Sequence, residues 1–228
     1  MSRAVYITGT DTGVGKSLVA ATLLAALNSN GVRAVGMKPV ASGCERTPAG
    51  LRNADAELLI EHSAGAPAYV NVNPYAFADP IAPHLAAADA GVAIELSRID
   101  AAFAALSTDA QFIVVEGVGG WMAPLGPRLM QADLVRALHL PVILVVGLRL
   151  GCLNHALLSA RAIRADGAEL TGWIASSVDA QMARREDNLA TLRERLEAPC
   201  LGVLPHSAAP DPAALAVHLG NVCDRLLG

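Results

Sequence analysis

The sequence predicts an α/β fold, a doubly wound and mostly parallel sheet with helices on both faces, formed by residues 1–228 as one domain. Three observations carry that expectation. Six short runs rich in Val, Ile and Leu recur at residues 4–8, 34–38, 112–116, 142–146, 172–176 and 201–204. They are unbroken apolar stretches, as in strands covered by helices on both sides, and lack the alternation of a half-exposed sheet. Helical patterns fill the gaps, at 16–28, 54–63, 96–107, 129–137, 153–165, 182–196 and 212–226. Strand–helix alternation of this kind builds parallel crossover units.

Taken in order, the first strand passes into a glycine-rich segment and then the first helix, which Gly31 can stop. Two stretches break the rhythm, 41–53 and 66–89. Both carry Pro, Gly and Asn, and both are expected to be loops over the sheet edge where ligands bind. No repeat or linker divides the chain.

Composition excludes several functions. Apolar residues make up 53% of the chain, yet the longest apolar run, 140–148, is far short of the ~20 residues a spanning helix needs. The first residues run straight into strand-like sequence without the apolar core of a leader, so a cytoplasmic location is expected. Net charge is −4 with no block of like charge, so no nucleic-acid partner is expected. Cys44, Cys152, Cys200 and Cys223 are far apart and form no C-x-x-C pair, which supports reduced thiols and neither zinc nor disulfides.

The segment Gly9-Thr10-Asp11-Thr12-Gly13-Val14-Gly15-Lys16-Ser17 sits between a strand and a helix, the context a phosphate-binding loop requires. Its glycines let backbone N–H groups turn inward, and the helix N-terminus adds positive potential. Lys16 can reach β- and γ-phosphates, Ser17 can ligate Mg²⁺, and Leu18 follows in the first helical turn. The spacing is a variant, because Thr10 holds the place of the usual first glycine and Gly9 lies one residue earlier.

Phe112-Ile113-Val114-Val115-Glu116 is an apolar strand ending in a carboxylate, followed by Gly117-Val118-Gly119. A strand-end acid is where a Mg²⁺ partner sits in phosphate-loop proteins. Asp55 is the candidate for a further metal carboxylate, although a residue there can equally serve the helix dipole. A second lysine, Lys38, closes the second strand in Lys38-Pro39-Val40-Ala41-Ser42-Gly43. By itself that lysine reads as a surface strand end. Beside a triphosphate it would stabilise charge on a transferring phosphoryl group.

Four segments in this order resemble the dethiobiotin synthetase family: 9–17, 38–43, 115–120 with Trp121, and Gly151-Cys152-Leu153-Asn154-His155. Leu51-Arg52-Asn53-Ala54-Asp55 and Val72-Asn73-Pro74-Tyr75 are also similar to that family. The resemblance runs to about Pro205. It implies a P-loop-type cyclo-ligase that forms the ureido ring of dethiobiotin from 7,8-diaminopelargonic acid, carbon dioxide and ATP, through a carbamate and a carbamic–phosphoric anhydride. It implies Lys38 and Lys16 as catalytic lysines and Ser17, Asp55 and Glu116 as Mg²⁺ ligands. Thr12 and Ser42 would lie near the diamine. Gly151, Cys152 and Asn154 would meet the substrate carboxylate from the second subunit of a homodimer. The nucleotide would also touch Ser176, Ser177, Pro205, His206 and Ser207. Ser176 and Ser177 stand where the family carries Asn-Asp, and a serine cannot make an amide's paired contact to a base. The competing expectation is a nucleotide-switch ATPase of the partitioning or metal-insertase type, which would share sheet, loop and dimerisation. The segments at Lys38-Pro39 and 152–155 favour the synthetase.

Overall fold

The computed structural model describes residues 3–220 and 222–228. The chain begins with β1 (Arg3–Gly9), α1 (Lys16–Ser29) and β2 (Ala34–Met37). An excursion follows: β3 (Val40–Ala41), a hairpin of β4 (Glu45–Thr47) and β5 (Gly50–Arg52), then α2 (Ala54–Glu61), α3 (Tyr69–Val72), β6 (Tyr75–Ala76) and α4 (Pro83–Asp89). Alternation resumes with α5 (Leu96–Ser107), β7 (Phe112–Glu116), α6 (Gln131–Ala137), β8 (Val142–Gly147) and α7 (Cys152–Ala165). It continues through β9 (Leu170–Ser176), α8 (Arg185–Arg195) and β10 (Cys200–Leu204) to α9 (Pro212–Leu215) and α10 (Val222–Leu227).

Six strands form one parallel sheet in the order β10-β9-β8-β1-β7-β2. From β1 the chain goes out to the edge at β2, returns to β7, then crosses β1 to reach β8. The direction of winding reverses at β1, and ligands bind outside the carboxyl ends of strands at such a reversal.

The unbroken apolar strands divide by parity. Val5, Ile7, Val114, Ile143 and Val145 pack under α1 and α9, with Leu24, Leu27 and Leu215. Tyr6, Ile113, Val115, Leu144 and Val146 face the other way, against Ile99 of α5, Leu134 of α6, Ile163 of α7 and Leu192 of α8. Each such fully buried aliphatic side chain contributes about 1.5–3 kcal/mol. Both faces are covered, as the strand composition requires.

All six expected strands are present, with ends shifted by a residue or two. The expected helix over 212–226 is broken: α9 tightens into a 3₁₀ turn, Ala216–Leu219, and stops at Gly220 with φ +50°. That turn docks on β10, where a Cβ at Gly202 would lie 2.5 Å from the His218 carbonyl oxygen. The helix expected from 129 starts at Gln131, because Met130 N–H donates to Asp133 Oδ2 at 2.7 Å and fixes the entry there. The helix expected from 182 starts at Arg185, after Arg184 takes a left-handed φ of +53°. The two expected loops hold short elements of their own: β6 pairs with β3, and β4 with β5. Among the described residues no helix is long and apolar enough to cross a membrane.

The loop after β1 is seated by a missing side chain. A Cβ on Gly147, at the end of β8, would lie 2.8 Å from Val14 Cγ1 and 3.3 Å from Val14 Cα. Gly147→Ala must therefore push the loop off the sheet. The expected cost is about 1–3 kcal/mol, read as a melting midpoint lower by roughly 2–4 °C per kcal/mol.

Candidate active site

The loop between β1 and α1 ends at Gly15, which has φ +88° and approaches β9 so closely that a Cβ there would lie 2.5 Å from Ser176 Oγ. Only glycine satisfies both demands. Helix α1 then starts without a side-chain cap and without an acidic residue in its first turn. Its leading N–H groups and its positive end are left for an anion.

Sheet register places the other charged groups. Met37 of β2 pairs with Val115 of β7, so Lys38 and Glu116 emerge side by side one residue later. Ile7 of β1 pairs with Glu116 on the opposite side. Asp55 comes from the first turn of α2, whose N-cap Asn53 accepts from the Asp55 and Ala56 N–H groups through Oδ1.

These elements enclose a cleft of about 430 Å³. Thr12, Gly13 and Gly15 line it from the loop, and Lys16 and Ser17 from α1. Lys38 and Ser42 line it from the second strand and its sequel, and Asp55, Glu116, Val118 and Gly119 complete the wall. Both lysines thus meet in one crevice. Lys38 Nζ donates to Glu116 Oε1 at 2.6 Å, to Asp55 Oδ2 at 2.9 Å and to the Gly117 carbonyl at 3.3 Å. Ser17 Oγ donates to the same Glu116 oxygen at 2.8 Å. Lys16 Nζ folds back over the loop onto the Asp11 carbonyl at 2.9 Å.

Burial governs the protonation of this group. Lys38 is 3% exposed and Glu116 fully buried. Burial alone would lower the Lys38 pKa, but the Glu116 and Asp55 carboxylates outweigh it and hold the ammonium above its ordinary value. Burial pushes Glu116 up, against the pull of Lys38. Asp55, desolvated but faced by Lys38 and bonded to Lys38 and Ser17, ends below its ordinary value. Lys16 is lowered to about 8, by burial first and then by the charge of Lys38.

The donor set suits a divalent cation that keeps most of its shell from elsewhere. Among the described residues no three His, Cys, Asp or Glu side chains cluster as a closed metal site. Glu116 Oε2 is nevertheless buried without a hydrogen-bond partner, beside Ser17 and Asp55. Two oxygens from acids and one hydroxyl match Mg²⁺, which prefers oxygen and completes its octahedron with waters and phosphate oxygens. Two lysines and two carboxylates cancel to first order, so a triphosphate would bring surplus negative charge that a divalent ion offsets.

Other predicted residues lie at the margin. Val14 is buried against Gly147, Leu18 is half-buried in α1, and Gly117 is buried behind Val118. Ser176 sits under Gly15. The buried Ser177 hydroxyl has no partner among the described residues, and the Ser177 carbonyl lies 3.1 Å from His206 Nδ1. Pro205 is half-buried and Ser207 exposed just after β10. Gly151 and Asn154 are exposed outside the cleft, while the Cys152 side chain is turned into the core. Four side chains that sequence reasoning did not single out hold the frame. Gln131 accepts from Val118 N–H at 2.7 Å and donates to the Gly120 carbonyl at 2.8 Å. Arg149 pairs with Asp11 of the loop. Tyr69 and Asn73 brace Asn53 and Lys38. Only Asn73 carried a hint, within the segment 72–75.

Fold and cleft define a nucleotide-binding α/β protein of the P-loop type. A family profile described as "AAA domain" matches residues 3–214. The ATP-dependent dethiobiotin synthetase BioD of Xanthomonas oryzae pv. oryzae (strain PXO99A) is 58% identical over 216 residues, 95% of this chain and 96% of that protein. The protein of the same name from Xylella fastidiosa (strain 9a5c) is 55% identical over 217 residues, 95% of this chain and 96% of that protein. The chain belongs to the dethiobiotin synthetase family, a family of ATP-dependent ligases. Solved structures share the fold: the septum site-determining protein MinD with Mg-ADP from Pyrococcus horikoshii OT3 has a TM-score of 0.61 at 14% identity, covering 100% of this chain and 98% of that one. A ParA family ATPase from Chlorobium tepidum TLS has a TM-score of 0.56 at 12% identity, covering 91% and 86%.

The lowered Lys16 value has a measurable consequence. Without a ligand the side chain is charged below about pH 8 and neutral above it. A triphosphate favours the charged form and raises the pKa, so binding at pH 8–9 takes up a proton. Titration calorimetry of ATP in buffers of differing ionisation enthalpy should show that uptake and a fall in affinity as pH rises through this window. Lys16→Ala should weaken binding and remove the uptake.

Proposed function

We propose that this protein closes the ureido ring of dethiobiotin from 7,8-diaminopelargonic acid, carbon dioxide and Mg-ATP, as one P-loop-type domain per subunit of a homodimer. The observation that carries the reading is Lys38, held as an ammonium between Asp55 and Glu116 in the crevice that Lys16 and the open end of α1 share. Family membership supplies the reaction.

One amine of the substrate adds to carbon dioxide, forming a C–N bond and losing a proton to give a carbamate. A carbamate oxygen attacks the γ-phosphorus, and the bond from that phosphorus to the β-phosphate oxygen breaks, leaving ADP. The second amine attacks the activated carbonyl carbon, closes the ring and releases phosphate. The carbamate and the γ-phosphate it attacks are both anionic, so cationic groups must meet them at the point of transfer. Lys16 approaches from the nucleotide side and Lys38 from the acceptor side. Mg²⁺, held by Ser17, Asp55 and Glu116, would neutralise charge on the phosphate oxygens. Thr12 and Ser42, both lining the cleft, offer hydroxyls to the diamine. Ser176, Ser177 and the 205–207 loop border the place for the base, where the free Ser177 hydroxyl can take one hydrogen bond.

The exposed start of α7 supports a paired assembly. Gly151 and Asn154 are exposed, as are Leu150, just before the helix, at 95% and Leu158, one turn beyond Asn154, at 57%. A second copy covering that face would bring the α7 N-terminus, an anion-binding element, to its neighbour's substrate carboxylate.

The direct test is incubation with Mg-ATP and bicarbonate, with and without the diamine, scoring phosphate and dethiobiotin. Diamine-dependent ring product is expected, and diamine-independent hydrolysis without product would instead support a nucleotide switch. Lys38→Ala should lower kcat by about 100- to 1000-fold while the KM for ATP changes little. An equal loss of nucleotide binding in that variant would contradict the acceptor-side role.

A further inference from the structure

The excursion after β2 closes a ring of hydrogen bonds through Lys38. The Lys38 carbonyl accepts from Asn73 Nδ2 at 2.6 Å. Asn73 Oδ1 accepts from the Tyr69 hydroxyl at 3.1 Å. That hydroxyl accepts the Asn53 N–H at 2.8 Å. Asn53 Oδ1 accepts the Asp55 N–H at 3.1 Å, and Asp55 Oδ2 accepts from Lys38 Nζ at 2.9 Å. Backbone and ammonium of one lysine are thus tied to each other by way of 53–55 and 69–73. Asn73 is 3% exposed, and its amide also donates to the Tyr75 carbonyl at 3.1 Å. We infer that Tyr69 and Asn73 are positioning residues that set the Lys38 ammonium and the Asp55 carboxylate for reaction, an inference that rests on the ligase reading above.

The Tyr69 hydroxyl is the bridge between the two halves of the ring. It accepts on the Asp55 side and donates on the Lys38 side, so its proton is required. Burial pushes the Tyr69 pKa up, which keeps that proton in place. The Arg52 guanidinium lies 4.0 Å from the ring centroid and fixes the plane in which the hydroxyl points. Without the hydroxyl a buried backbone donor and the Asn73 acceptor lose their partner, and both halves are free to shift. Shifts of well under an ångström matter for groups that meet a transferring phosphoryl.

Tyr69→Phe removes the hydroxyl and keeps the stacked ring. The expected result is a kcat lower by about ten- to hundredfold, with the KM for ATP within about twofold and a nearly unchanged melting midpoint. Acting through Asp55 is tested by a double-mutant cycle. In an Asp55→Asn background the same change should cost less than about twofold. An undiminished cost there, a wild-type kcat, or a raised KM with unchanged kcat each overturns the inference. If Tyr69→Phe does not fold, Asn73→Ser carries the same expectations for kcat and KM, because it removes the amide donor to the Lys38 carbonyl and the acceptor of the Tyr69 hydroxyl without burying a charge. The wild-type control separates the two claims. Phosphate release without ring product refutes the ligase reading, and the cycle then reads positioning on phosphate release alone.

Discussion

A buried ammonium between two carboxylates organises this molecule. Lys38 is nearly inaccessible, and an unpaired charge at that depth would cost several kcal/mol. Glu116 and Asp55 make its burial tolerable, and each comes from a different part of the chain. Loss of one member from such a buried group typically costs about 3–5 kcal/mol. The lysine directly follows the edge strand β2, Glu116 ends its neighbour β7, and Asp55 lies in the first turn of α2. Only the strand order that places β2 beside β7 makes the first pair possible. Only the cap at Asn53 aims the first turn of α2 back at the sheet. The site is therefore a consequence of topology as much as of the glycine-rich loop.

What was legible in the sequence follows the same division. The phosphate loop lies within nine consecutive residues, and its chemistry can be read locally. Lys38 and Glu116 were legible as strand ends, because parallel strands in such a sheet deliver their carboxyl ends to one crevice. Asp55 was ambiguous between a metal-side acid and a helix-dipole acid; it lies in the first turn of α2 and also bonds Lys38, a partner that its own segment does not reveal. The brace formed by Tyr69 and Asn73 was barely legible, with only Asn73 touched on, inside the segment 72–75. It sits in a stretch with no period, and its bonds run largely to backbone groups, which carry no residue signature. The broken C-terminal helix was hidden for a similar reason. Its apolar pattern is helical, but Gly202 lets the 216–219 turn touch β10, a contact 16 residues or so from either partner's local pattern.

Fold likeness alone would not have separated ligase from switch. The MinD and ParA structures superpose on this chain at 14% and 12% identity, and a shared sheet does not carry a shared reaction. What separates them is sequence: the relatives 58% and 55% identical over 95% of the chain are dethiobiotin synthetases.

The two lysines of the cleft are perturbed in opposite directions, and the contrast separates their roles. Lys38 has resident partners, so its charge is stabilised before any ligand arrives. Among the described residues, the Lys16 Nζ hydrogen-bonds only to the Asp11 backbone carbonyl, and burial lowers its pKa to about 8. A side chain so placed gains most from an incoming polyanion, since that ligand supplies the counter-charge the protein withholds. Lys38 gains less from the nucleotide and remains an ammonium across the ordinary pH range. In the reaction proposed above, an ammonium so held would not serve as a base toward the substrate amine; its part there would be electrostatic, and the proton lost on carbamate formation would leave to solvent or to the second amine of the diamine.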